Sequence, residues 1–247
     1  SQAMMNFPAR AFIRFFERHG LLSLNNHPQW YTVKGGSWNY VSRITAIYND
    51  RIRLMTSVTA VSRQDNGVVV HDAGGESAEF DAAILACHSD QALAILKDPG
   101  PAETRALGAI PYAQNRAVLH QDPSLMPRSR KAWSSWNYLA TTEDGQVCVS
   151  YDMNKLQNLK TDKPLIVTLN PTREPDLETV LKETHYAHPQ FGAEAFEAQE
   201  HLSRIQGTGK VWFAGAWCGY GFHEDGLRSG LDAAEAITGM RAPWRSQ

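Results

Sequence analysis

No apolar run in this chain approaches the roughly 20 residues that a membrane-spanning helix requires, so no helical span is expected. A block of one charge is missing too: 24 Lys and Arg against 26 Asp and Glu give a formal net charge of −2. A nucleic-acid backbone or an anionic membrane needs a clustered positive face, so neither is expected as a partner. Cysteine is scarce, and Cys87, Cys148 and Cys218 are odd in number, widely spaced and free of any CxxC pair. That argues against a disulfide framework and a zinc site and points to a reducing, cytoplasmic setting. The opening residues, SQAMMNFPAR, lack a charged region followed by a long apolar core and are not read as a signal peptide. Internal repeats and low-complexity linkers are absent as well, so domain boundaries must come from topology.

What is present suits a globular enzyme-sized chain. The 247 residues are 43% hydrophobic and 20% charged, enough to bury a good core in one large or two small domains. Near the start, NFPARAFIRFFERHG sets Phe12, Phe15 and Phe16 opposite Arg14, Glu17 and Arg18, an amphipathic helix stopped by Gly20. A short strand, a turn at Gly35-Gly36 and a helix from about Trp38 to Tyr48 follow. The glycine pair either lends backbone donors to an anion or is a plain strand-to-helix turn. Asp65-Asn66-Gly67 and Gly74-Gly75 read as turns joining strands IRLMTSVTAVSRQ, GVVVHDA and SAEF, after which DAAILAC is a buried apolar strand. Helical spacing resumes from Asp90 to Lys97. Residues 110–170 are mostly strands, with a hairpin turn at Glu143-Asp144-Gly145, which together suggest an antiparallel sheet. DLETVLKETHYAH and AEAFEAQEHLSRI read as helices separated by Pro189.

The densest signal is VWFAGAWCGYGFHEDGLRSGLDAAEAITG, Val211 to Gly239: a short strand, a loop holding Gly215, Gly219, Gly221 and Gly226, and a helix closed by Gly239. On that helix Gly226, Gly230, Ala233, Ala234 and Ile237 share one face, bare enough for close packing against a strand or a cofactor. Its start offers free N–H groups and partial positive charge. From the pattern alone, a flat-ligand site and a merely tight strand–turn–helix stand level.

This motif resembles the C-terminal flavin-contacting segment of the FAD-dependent amine oxidase superfamily, the group of monoamine oxidase, protoporphyrinogen oxidase and phytoene desaturase. More narrowly, FFERHGLLSLNNHPQWYTVKGGSWNYV, FDAAILACHSDQAL, LGAIPYAQNRAVLH, WSSWNYL, MNKLQNL and GYGFHEDGLRSGL are similar to bacterial predicted NAD/FAD-binding amine-oxidase-like proteins, in order over nearly the whole chain. The resemblance implies an α/β (mixed α+β) fold: part of an FAD/NAD(P)-binding domain plus a substrate domain with a largely antiparallel sheet and helices. It divides the chain into 1–39 (substrate domain), 40–95 (middle segment of the FAD domain), 96–206 (substrate domain again) and 207–241 (flavin-contacting segment). Non-covalent FAD is the implied cofactor. The implied contacts are Val58 by its main chain to the adenine, and Gly215, Ala216, Gly221, Phe222, Glu224, Asp225, Gly226 and Leu227 around the flavin. Its reduced ring carries negative charge at the N1/C2=O edge, which the helix start would stabilise. Trp136, Tyr138 and Tyr151, with Trp133, are candidates for an aromatic substrate cage, and sheet core is the equal alternative. Two departures stand out. The family's acidic residue after FAG is Ala216 here, and no GxGxxG, the loop that holds the pyrophosphate, occurs anywhere; GTGK at Gly207–Lys210 is no substitute, since Val211 stands where a P-loop needs Ser or Thr. The chain therefore reads as the C-terminal portion of a longer protein, and FAD is expected to be absent or weakly held.

No catalytic residue and no metal are assigned. Asp225 is expected to N-cap the last helix; Cys87-His88 are adjacent on a strand and point to opposite faces, against a nucleophilic pair. His185 and His188 are read as surface histidines, and Cys218 is not read as a covalent flavin anchor. Two functions follow: an FAD oxidoreductase taking hydride from a small organic substrate onto flavin N5, or a non-catalytic module that binds a ligand or partner without FAD. Self-association is left open.

Overall fold

The computed structural model describes residues 9–18, 20, 22, 23, 25, 29, 31–140 and 147–245. Its strands are β1 (Val58–Gln64), β2 (Gly67–Asp72), β3 (Ser77–Phe80), β4 (Ala83–Leu85), β5 (Tyr112–His120), β6 (Trp136–Ala140), β7 (Val147–Asp152), β8 (Ile166–Leu169), β9 (Val180–Pro189) and β10 (Val211–Phe213). Its α-helices are α1 (Ala9–Arg18), α2 (Trp38–Thr45), α3 (Ser89–Ile95), α4 (Pro101–Gly108), α5 (Met153–Leu156), α6 (Ala193–Glu200) and α7 (His223–Thr238). The mixed α/β class expected from the sequence is the class observed. Phe12–Ile52 with Ala113–His188 form one compact unit, and Arg53–Tyr112 with Pro189–Gln247 a second. Among the described residues no helix is long and apolar enough to cross a membrane.

The first unit is built on a five-stranded sheet in the order β6-β7-β8-β5-β9. The pairs β6–β7, β7–β8 and β5–β8 are antiparallel, as the run of adjacent strand signals requires. Alternation gives each strand two faces. Cys148, Ser150, Ile166, Thr168, Val118 and His120 are buried on one side, while Trp136 and Tyr138 stand more than half exposed on the other. The buried side carries a directed hydrogen-bond chain. The Asp122 N–H donates to His120 Nδ1 (3.2 Å), so the ring proton is on Nε2 and goes to Thr168 Oγ1 (2.8 Å). Thr168 then donates to Ser150 Oγ (2.8 Å), and Ser150 to the Leu125 carbonyl (2.9 Å). Burial lowers the His120 pKa, against the charge of Asp122, and a second ring proton would face the Asp122 N–H head on.

Several sequence readings change here. DLETVLKETHYAH is not a helix: after a single 3₁₀ turn at Leu177–Thr179 it runs as β9 on the open edge of β5. Leu177, Val180, Leu181 and Thr184 have helical spacing, but pairing with β5 overrides local propensity. Arg116 fastens the edge by donating to both carboxylate oxygens of Glu183 (2.9 and 2.8 Å) and of Glu174 (2.7 and 2.8 Å), and these hydrogen bonds hold both acids below the usual carboxylate range. Residues 31–33, expected as a strand, belong to no strand: their alternation is too short to form one without a paired edge. KAWSSWNYLA is a strand only from Trp136, behind a 3₁₀ turn at Arg130–Ala132. The expected turn at Glu143-Asp144-Gly145 lies outside the described residues. In α1, Phe12 and Phe16 meet at 4.4 Å between ring centroids, one helical turn apart. Helix α2 buries none of its residues: Trp38, Ile44 and the following Ile47 are exposed by 75%, 58% and 89%.

The second unit starts from the β1-β2-β3 meander, whose turns fall at Asp65–Asn66 and Gly74–Gly75 as the sequence indicates. Far along the chain, β10 lies parallel to β4 with Val211 opposite Ala83 and Phe213 opposite Leu85. β4 itself is shorter than the expected strand DAAILAC. Val61, Val68, Leu85, Leu107, Ile110, Ile205, Val211, Phe213 and Trp217 form its core. Arg63 on β1 reaches four places: its Nη1 meets the Asp98 carbonyl and carboxylate (both 3.0 Å), Nη2 meets the Glu103 carboxylate, and Nε donates to the Thr208 carbonyl (3.2 Å). Glu103, 3% exposed, also accepts from Gly100 N–H (2.8 Å), closing the start of α4.

Two outcomes are expected in unfolding experiments. Arg63→Met strands the buried Glu103 carboxylate and should cost about 3–5 kcal/mol in urea unfolding, whereas Asp98→Asn, at the solvent-facing partner, should cost under about 1 kcal/mol. Loss of less than about 1 kcal/mol in Arg63→Met would show the fan to be ornamental. His120 has a folded pKa below its unfolded value, so the unfolded chain binds the extra proton. The stability it contributes is present above roughly pH 6.5 and drains away as pH falls below it. His120→Asn should therefore flatten the stability profile between pH 7 and 5; an unchanged slope removes His120 from that titration.

Candidate functional site

The glycine-rich segment is built by contacts from three directions within the second unit. After β10, the Ala214 N–H donates to Leu85 O (3.1 Å), prolonging the parallel pairing up to the loop. At Gly215 the indole of Trp217 folds back and donates its Nε1–H to the Cys87 carbonyl (2.9 Å); a Cβ on Gly215 would lie 2.6 Å from that nitrogen, so the position admits only glycine. The Ser229 hydroxyl of α7 accepts from Gly215 N–H (3.0 Å) and contacts the Gly215 and Gly226 carbonyls. From α6, the Gln199 amide donates to the carbonyls of Trp217 (2.7 Å) and Gly219 (2.6 Å). Gln206 pairs both main-chain groups of Phe213 (2.8 Å each), as a neighbouring strand would.

Asp225 is the centre of the turn. It is 3% exposed, and its Oδ2 accepts from the N–H groups of Tyr220 (2.9 Å) and Phe222 (3.1 Å) while Arg228 binds Oδ1 (2.8 Å). This corrects the expected N-cap. Helix α7 starts at His223, three residues earlier than the sequence suggested, so the cap position is Phe222 and Asp225 reaches back from the third helical position. Glu224 and Asp225, polar residues between glycines, have a loop-like composition, yet they form the first helical turn. Among the described residues no acceptor meets the N–H groups of His223 and Glu224, which stand at the positive end of a 16-residue helix. Around them Gly221, with φ of 90°, Phe222 and Leu227 are exposed. Gly226 faces inward instead, where a Cβ would meet Ala216 N at 3.5 Å, an ordinary contact.

The sequence-derived candidates thus fall in two groups. Gly215, Ala216, Gly221, Phe222, Glu224, Asp225, Gly226 and Leu227 share one loop and helix start. Val58, 40% exposed, is in the same unit at the head of β1, where a register irregularity separates it from Ala60. Trp136, Tyr138 and Tyr151 come together in the other unit, since Trp136 is directly opposite Tyr151 and Tyr138 is two residues along. Trp133 is fixed by its Nε1–H to Pro127 O (2.8 Å). The residues that sequence reasoning missed are Gln199, Gln206 and Ser229; a helix carrying glutamine and a serine in a glycine stripe give no signal until the loop carbonyls are located.

The remaining thiols and histidines lie apart from this turn or are buried against it. Burial pushes the Cys218 thiol up to about 12 and also raises that of Cys87, whose carbonyl anchors Trp217. His88 stacks on Tyr112 (4.5 Å between centroids) at the start of α3 and makes no pair with Cys87. His185 and His188 are exposed on β9, and His188 Nδ1 meets the Asn115 amide (2.9 Å). Among the described residues no group of three or more His, Cys, Asp and Glu is placed to hold a metal ion. The loop and helix start thus expose main-chain donors beside apolar edges.

Comparison with known proteins gives a consistent picture. Putrescine oxidase bound to putrescine superposes with a TM-score of 0.59 at 15% identity, over 84% of this chain and 54% of that one. Cyclohexylamine oxidase from Brevibacterium oxydans IH-35A gives 0.58 at 19% identity, over 82% and 52%. The CLA-producing fatty acid isomerase from P. acnes gives 0.54 at 16%, over 74% and 47%, so the chain spans about half the length of these structures. No curated protein matches the sequence. The family model of flavin-containing amine oxidoreductases matches residues 3–158, ending before the glycine-rich segment. With well over half of its residues so matched, the chain belongs to the flavin-containing amine oxidoreductase family.

Proposed function

We propose that the chain is part of an FAD-dependent, amine-oxidase-like oxidoreductase, and that its second unit is the flavin-facing half. The observation that carries the reading is the turn locked by Asp225, which leaves the His223 and Glu224 N–H groups open at the start of α7. Those donors, the flat approach over Gly221 and the apolar edges of Phe222 and Leu227 fit an isoalloxazine ring. When bound, the flavin would supply hydride acceptance at N5, a chemistry no side chain provides.

The chain's own residues then have separable roles. The helix start favours negative charge at the edge it faces. Both Asp225 oxygens are engaged within the protein, so Asp225 acts by fixing the loop, and Glu224, exposed, is the carboxylate free for ribityl hydroxyls. Gly215, Ala216 and Gly226 form the backing layer, and the Val58 main chain is assigned to the adenine. Trp136, Tyr138 and Tyr151 offer an aromatic face to a small organic substrate, and burial raises the Tyr151 pKa. The segment allotment expected from sequence, 40–95 and 207–241 for flavin and 1–39 and 96–206 for substrate, is carried into this proposal with the compact-unit limits of 53–112 and 189–247. Membership of a longer protein, with a GxGxxG segment supplied outside these 247 residues, is part of the same reading.

Flavin titration tests it. Without a pyrophosphate loop, the chain should quench added riboflavin and FAD with affinities within about tenfold of each other, and lose both on gel filtration. FAD retained through gel filtration would overturn the half-site, and no quenching of either flavin would favour the module without flavin. A second expectation concerns covalency. Because the Cys218 thiol is held near 12, far above the ordinary range, iodoacetamide at pH 8 should alkylate the native chain slowly, and the urea-unfolded chain quickly at all three cysteines. Rapid labelling of native Cys218 would reopen a thiolate bond to flavin.

A further inference from the structure

Away from the glycine-rich loop, the second unit holds a cavity of about 360 Å³ between α4 and α6. Each side contributes a stripe at helical spacing: Ala102, Arg105, Ala106 and Ala109 from α4 and its end, and Glu194, Glu197, Ala198 and His201 from α6 and its end. The alanines make an apolar floor too shallow to fill the gap. Charged heads stand around it in two groups. Along α6 and the turn that follows it, Glu194 and Glu197 come first and His201 and Arg204 after them, and Arg105 adds a guanidinium from α4. No ion pair among the described residues engages any of these four charges. His201 Nδ1 is buried with no hydrogen-bond partner, so a proton there would be a stranded donor; the ring N–H belongs on Nε2, the remaining donor of a side chain that lines the cavity.

We propose that this cavity binds a dipolar small molecule: an ammonium group at Glu194 and Glu197, a carboxylate at Arg204 and His201 Nε2, and a polymethylene spacer over the alanines. The volume lies in the range of small-ligand cavities, and an apolar floor with a few convergent polar groups is their usual composition. Glu197 and His201 are four residues apart, about 6 Å along the helix, so the two ends are separated by a short carbon chain and not by a single carbon. ω-Amino acids have that form. The same helix turns Gln199 to the carbonyls of Trp217 and Gly219, so a ligand seated here bears on the element that holds the loop.

Isothermal titration of the 247-residue chain with 6-aminohexanoate tests the assignment. Saturable binding is expected, with hexanoate and hexylamine, each lacking one charged end, weaker by at least about tenfold. Ala102→Leu, which fills the groove from an exposed position on α4, and Arg204→Gln should each weaken 6-aminohexanoate by a similar factor while the melting temperature stays within a few degrees of wild type. No heat up to about 10 mM ligand, equal affinity for the three probes, or affinity unmoved by both substitutions overturns the proposal. None of these outcomes touches the flavin reading, which concerns different residues.

Discussion

One guanidinium ties the second unit together. Arg63 joins β1 to the turn before α4, to the first turn of α4 itself and to the Thr208 carbonyl 145 residues away, just ahead of β10. A two-stranded parallel pair such as β4–β10 has few hydrogen bonds of its own and depends on what fixes its ends. The fan does that from the Thr208 side, and the Gln206 amide lends Phe213 the partners that a further strand would otherwise give. Because Glu103 is almost wholly buried, the arrangement tolerates no half measure: a carboxylate there without its cation is a desolvated charge.

The same economy shapes the loop. Besides its own backbone turns, Gly215–Phe222 is held by side chains that grip main chain: Asp225 on two N–H groups, Gln199 on two carbonyls, Ser229 at Gly215, and Trp217 on the carbonyl after β4. Backbone gripped this way holds its dipoles in fixed directions.

Legibility from sequence followed the range of the interactions. The hairpins at Asp65–Asn66 and Gly74–Gly75, the α7 stop at Gly239 and the antiparallel character of residues 110–170 are local and came through. What failed was decided by hydrogen-bond partners that local patterning does not display. VLKETHYAH carries helix-compatible residues and became a strand because β5 had a free edge and Arg116 faced Glu183. Asp225 directly precedes a glycine, as a cap residue would, but its carboxylate accepts from the Tyr220 and Phe222 N–H groups, which bend back toward it. Residues such as Gln199 and Gln206 are invisible in sequence by nature: their role is to complete another segment's hydrogen bonds.

The unburied face of α2 has a consequence for how the protein behaves in a tube. Trp38 and Ile44, with Ile47 in the 3₁₀ turn that follows, are each exposed, and covering any one of them would contribute about 1.5–3 kcal/mol. Trp38 also makes the covering visible without a label. An indole that passes from water into contact shifts its emission to the blue, so the protein carries its own optical report of when that helix finds company.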